Sequence, residues 1–131
     1  MPQHEIDSER LPYAPERLPR KPRVDADRFF SLDLRVGRVV SVEPFPEARD
    51  PAWKLEVDFG PTVGVLASSA KITNYSREDL LGRIVAGAVN LPVKRIAGFE
   101  SQFLVLGALE PDGTVRLLEL PEGVEPGAPI A

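Results

Sequence analysis

The sequence predicts an all-β fold: a small five-stranded Greek-key barrel with one short helix and an irregular Pro-rich N-terminal extension. Three observations carry this reading. Several short runs alternate apolar and polar residues at period two, their breaks are rich in Gly, Pro and Asp, and a single short segment between them has helical caps. The extension is set apart by composition, because five of the fourteen prolines (Pro2, Pro12, Pro15, Pro19, Pro22) fall in the first 22 residues. Such a stretch sustains neither helix periodicity nor a sheet ladder. We therefore divide the chain into 1–27, a disordered or loosely docked extension with Leu11, Tyr13 and Leu18 as candidate anchors, and 28–131, the folded domain.

Within the domain, LDLRVGRVVSVEPF (32–45) reads as a long strand, with Gly37 where a bulge or bend would curve it. WKLEVDFG (53–60) places Trp53, Leu55, Val57 and Phe59 on one face, opposite Lys54, Glu56 and Asp58, the pattern of a half-buried strand. TVGVLA (62–67), IVAGAVN (84–90) and QFLVLGA (102–108) supply three more, and the PDG turn at 111–113 leads into TVRLLEL. Between the third and fourth strands, SREDLLGR predicts a short helix at about 76–81, with Ser76 as N-cap, Asp79 completing a capping-box-like pair and Gly82 as the C-terminal stop. A short helix at that place among curved strands is the arrangement of the oligonucleotide/oligosaccharide-binding (OB) fold. Pattern alone leaves a sandwich or another small barrel open.

Composition removes several function classes. The 16 Lys and Arg against 20 Asp and Glu give a net charge of −4, which excludes polybasic binding to phosphate through bulk charge. The acidity is concentrated at the end: residues from 110 onward hold five acids and one base, whereas 29–109 hold nine of each. With no Cys there is no disulfide, thiolate metal site or Cys nucleophile, and the one histidine, His4, leaves no base for a Ser-His-Asp triad. No metal or cofactor is expected. The sequence contains no apolar run of membrane-spanning length and no signal-peptide order, so we expect a cytoplasmic protein without membrane insertion.

SSAK at 68–71 matches Ser-x-x-Lys, in which Lys71 would activate Ser68 were the segment helical. The match joins two common residue types in a chain far shorter than the penicillin-recognising enzymes that use it, so no enzymatic activity is expected. Two other stretches are more informative. ASSAKIT offers Ser68, Ser69, Lys71 and Thr73, and NLPVKRIAGFESQ offers Asn90, Lys94, Arg95, Ser101 and Gln102, both at strand ends. Hydroxyls, amides and a few cations suit phosphates and sugar hydroxyls better than an apolar ligand. Composition alone favours an ordinary solvated loop face, since 67–103 holds only five bases against three acids.

The blocks RVGRVVSVEPFPEA, KLEVDFG, SSAKIT, EDLLGRIVAGAVNLP and KRIAGFESQFLVLGAL resemble, in order and spacing, the tRNA-binding domain family over about residues 29–130. This family includes the C-terminal domain of bacterial methionyl-tRNA synthetases, and the subgroup resembled most is the free-standing CsaA proteins, described as protein-export chaperones. The lengthened EARDPAW and the SSA of SSAKIT are CsaA-like, while the Pro-rich extension matches no feature of the family. The resemblance implies an OB-fold tRNA-binding domain that holds tRNA by shape and backbone. Its face would be formed by Ser68, Ser69, Lys71, Asn90, Lys94, Arg95, Ser101 and Gln102, with Gly98 as a loop turn. It also implies a homodimer formed through terminal segments flanking the barrel. The alternative it carries is a peptide-binding chaperone for unfolded precursor proteins, acting with the export machinery, for which Phe45, Trp53 and Phe99 are the candidate contacts.

Overall fold

In the computed structural model, which describes residues 13–131, the chain enters through a 3-10 turn at Pro15–Arg17 and a short helix α1 (Ala26–Phe30). The long strand β1 (Leu34–Pro44) then pairs antiparallel with β2 (Trp53–Asp58) along its second half. After one helical turn, α2 (Gly60–Val63), β3 (Val65–Ala70) pairs antiparallel with β2. Helix α3 (Arg77–Leu80) leads into β4 (Ile84–Ala88), which pairs with the first half of β1. A hairpin of β5 (Lys94–Ile96) and β6 (Phe99–Ser101) follows, then β7 (Leu104–Val105) on the free edge of β4, and a hairpin of β8 (Gly107–Leu109) and β9 (Val115–Leu117). The five-stranded sheet has the order β3-β2-β1-β4-β7 and curls into a nearly closed OB-type barrel, as the alternation predicts.

The core follows the period-two reading. Leu55, Val57 and Phe59 are at most 1% exposed, and they pack with Val39, Val42, Val85, Phe103, Val115 and Leu117. Helix α3 is built as its caps require: the Ser76 hydroxyl accepts the Asp79 N–H at 3.1 Å, and Leu80, fully buried, plugs the barrel. Gly37 does not make the bulge. The register shift in β1 falls between Val39 and Ser41, while a Cβ at Gly37 would collide with the side chains of Val57 and Phe59. Gly37 is therefore needed for close packing of the Phe59 ring, and Gly87 on β4 meets the same ring.

Other boundaries differ for local reasons. Pro61 in the first turn of α2 and the positive φ of Gly60 and Gly64 (89° and 83°) give a helical turn where 62–64 reads as strand, so β3 begins at Val65 and takes in Ser68 and Ser69. The 102–108 run is split, because Gly107 lies against the Arg116 backbone and the chain leaves β4 for β9. The C-terminal residues 127–130 lie against β1, with Val36 N–H donating to Ala128 O at 2.9 Å and Ile130 N–H to Leu34 O at 2.8 Å.

Of the extension, residues 1–12, including Leu11, lie outside the described residues. Tyr13 is 4% exposed and its N–H donates to Pro111 O at 3.0 Å. No described helix is long and apolar enough to cross a membrane.

Candidate nucleic-acid interface

The barrel closes by side-chain chemistry where its ladder ends. Gln102 N–H donates to Ala67 O at 2.7 Å, and Ala67 N–H donates to the Gln102 Oε1 at 2.8 Å. One step along β3, the Ser68 hydroxyl donates to Phe103 O at 2.8 Å and lies 3.2 Å from the Ser101 hydroxyl, which accepts the Ser69 N–H at 3.1 Å. Ser68 is 2% exposed and Ser101 is 9% exposed, so these hydroxyls form a satisfied seam between β3 and β6. β3 is extended through Ser68 and Ser69, which removes the helical spacing a Ser-x-x-Lys nucleophile requires.

Beside this seam is a cavity of about 650 Å³. It brings together Ser68, Ser69, Lys71, Lys94, Arg95 and Ser101, over an apolar floor that includes Ala70, Leu104, Val105 and Leu109. Asn90 and Gln102 are not part of its lining. Asn90 instead ties down the chain entering β1: its Nδ2 donates to Ser31 O at 2.9 Å and its Oδ1 accepts the Asp33 N–H at 2.8 Å.

Lys94 and Arg95 are carried by the β5–β6 hairpin, both exposed. Its two-residue turn has positive φ at Ala97 (47°) and Gly98 (80°), as a type I′ turn requires. The hairpin is held to the barrel by Phe99, whose ring meets Phe45 edge-on at 5.4 Å between centroids, and Lys54 Nζ lies 4.7 Å from the Phe45 ring centre and 5.3 Å from that of Phe99. Phe45 is 4% exposed, Phe99 is half-buried, and Trp53, also half-buried, donates its indole N–H to Tyr75 O at 3.1 Å.

The segment 45–52 contributes two residues that sequence reasoning missed. Arg49 is exposed at the cavity, and Asp50 accepts from Lys71 Nζ at 2.9 Å. The hydrogen bond from Lys71, and then its charge, hold the Asp50 carboxyl below the ordinary carboxylate range. The only sequence signal for either was the lengthened EARDPAW segment. Lys54 was legible only as a solvent-side residue of its strand. The face thus combines an apolar floor, hydroxyls committed to the frame, and cations on its rim.

The sequence profile of the family described as "Putative tRNA binding domain" matches residues 34–129, the whole barrel from β1 onward. The chain belongs to the tRNA-binding domain family. Among curated relatives, the methionine–tRNA ligase of Salinibacter ruber is 42% identical over 92 residues, 70% of this chain but 12% of that protein. The curated relatives this tRNA-binding domain matches are therefore many times longer than it is. Crystal structures of the CsaA chaperone protein from Picrophilus torridus and of chaperone CsaA from Bacillus anthracis are each 44% identical. They superpose with TM-scores of 0.78 and 0.79, covering 83% and 84% of this chain and all of theirs.

Proposed function

We propose that this tRNA-binding domain is a non-catalytic binding protein that holds structured RNA, of the tRNA class, by shape and backbone. The observation that carries the reading is the convergence of Lys71, Lys94, Arg95 and Arg49 on one groove of an otherwise acidic chain. Cations on a rim pair with phosphates and release counterions, and no residue there offers a planar amide aimed at a base edge. Ser69 is the serine placed to contact sugar and phosphate oxygens. Ser68, Ser101 and Gln102 serve by fixing the rim, and Asn90 by fixing the entry to β1.

The binding unit is a homodimer, which offers two such grooves to one RNA and raises affinity by linking weak sites. In support, Val24, Phe29, Phe30 and Leu32 are 41–68% exposed in one short segment, apolar surface that a second copy would cover.

A second reading is favoured by the groove floor, where Leu104 is 49% exposed among other apolar residues. Such a floor suits apolar side chains of an unfolded precursor protein, and two similar structures are of proteins called chaperones. On this reading the client meets Leu104 and its neighbours rather than the covered Phe45 ring.

Titrating labelled bulk tRNA, and in parallel a denatured client protein, at about 50 mM and 200 mM salt tests the two. Salt-dependent tRNA binding is expected. Its absence at the lower salt, with client binding retained, would replace the first reading by the second.

A further inference from the structure

Residues 13–33 are tied down at both ends beside the groove. At one end Tyr13 is buried and bonded to Pro111 O, two residues beyond the groove-lining Leu109. At the other, the Asn90 amide brackets Ser31 and Asp33, and the next residue, Leu91, lines the groove. The segment between is a clamped strap.

Its middle, residues 17–23, reads Arg-Leu-Pro-Arg-Lys-Pro-Arg, four cations and no acid, in a chain whose net charge is −4. All four cations are exposed, and among the described residues none of them forms an ion pair. In the groove Lys71 and Arg49 share Asp50, at 2.9 and 3.8 Å, and Arg95 approaches Glu100 at 4.0 Å, which leaves Lys94 as the rim cation without an ion pair among the described residues. Pro19 and Pro22 fix their own φ and turn Leu18 and Lys21 away from helix, and Leu18 is extended at φ −97°, ψ 109°. An extended chain of the polyproline II kind has three residues per turn, so Arg20 and Arg23 share one side roughly 9 Å apart, with Arg17 closing the 3-10 turn just before them.

We propose that the 17–23 strap is a second phosphate-binding element, which grips the backbone of the RNA lying in the groove. The proposal rests on the RNA reading of that groove and adds to it a surface outside the barrel. Arginine forks pair bidentately with phosphate, and a strap fixed at both ends loses less freedom on binding than a free tail. An anionic membrane would attract the same four cations, and vesicle binding is therefore one arm of the test. An acidic protein partner would leave unused the anchoring of both ends of the strap next to groove-lining residues.

The test compares tRNA affinity and its salt slope for wild type, the R17A/R20A/R23A variant, the R17K/R20K/R23K variant and the groove variant K71A/K94A/R95A, all in the full chain. The strap Ala variant is expected to melt as wild type does and to lose up to three units of salt slope, roughly one per phosphate contact, with the Lys variant retaining most of it. Unchanged affinity and slope in the strap Ala variant, while the groove variant weakens, would overturn the strap and leave the groove reading standing. Loss of binding to anionic lipid vesicles by the strap Ala variant, with tRNA binding intact, would overturn it in favour of a membrane. Absence of salt-dependent tRNA binding by wild type would fail the groove reading itself, and the strap with it.

Discussion

Gln102 and Ala67 exchange two hydrogen bonds across the barrel seam, one through the backbone of Gln102 and one through its side-chain oxygen. The side chain supplies the acceptor that a further strand residue would otherwise provide. Gln102→Ala leaves the Ala67 N–H without it, at a cost of about 1–3 kcal/mol, whereas Gln102→Glu keeps an acceptor and loses less. Chemical denaturation of the two variants checks the order. Equal midpoints for Ala and wild type would show that the seam closes without this bond.

Gly37 tests the packing account. Valine at this position forces its side chain into Val57 and Phe59, both fully buried, and neither has open space to retreat into. Overpacking of this kind costs about 1–3 kcal/mol or more, so Gly37→Val is expected to lower the thermal midpoint markedly. The exposed Gly98, where a Cβ meets nothing within 4 Å, is the control for insertion of a side chain without collision, its positive φ adding only local strain.

The Lys71–Asp50 pair competes with ligand phosphate for the same ammonium. Because its folded pKa is lowered, Asp50 is ionised throughout the neutral range, and the pair is lost only as pH falls below the usual carboxylate range. Affinity for tRNA is thus expected to show no step from this group near neutrality. Asp50→Asn is expected to tighten tRNA binding several-fold and steepen the salt slope by about one. Weaker binding by Asp50→Asn would mean that the carboxylate positions Lys71 rather than competing for it.

Subunit pairing makes a separate prediction. Sedimentation at micromolar concentration is expected to give twice the 14.4 kDa chain mass, and Phe30→Asp, at a residue 68% exposed in the isolated chain, is expected to shift the population toward monomer. A monomeric wild type would remove the dimer while leaving each groove intact.

The legibility of the fold tracked how local its causes are. Strand β2 and the Ser76 cap were readable because alternation and capping act over a few residues. The β5–β6 hairpin was not: its strands have three residues each, and an Ala-Gly turn lacks the Asn-Gly signal of a type I′ loop. The docking of residues 127–130 on β1 was equally hidden between Pro126 and Pro129. At the candidate site, six of the eight polar residues singled out in the sequence line one groove. Which hydroxyls are bonded across the seam depends on the neighbouring strand, and so Ser68 and Ser101 read the same as Ser69 in the sequence. Arg49 and Asp50 enter the groove only through the path of their loop.

The central claim is that the groove holds RNA through phosphate contacts on its rim, and the salt dependence of tRNA binding by K71A/K94A/R95A measures it most directly. The account predicts weaker binding by a similar factor for different tRNA sequences, with the slope of log affinity against log salt reduced by about three, while binding of a denatured client is largely kept. An unchanged slope, or a loss confined to one tRNA sequence, would contradict it.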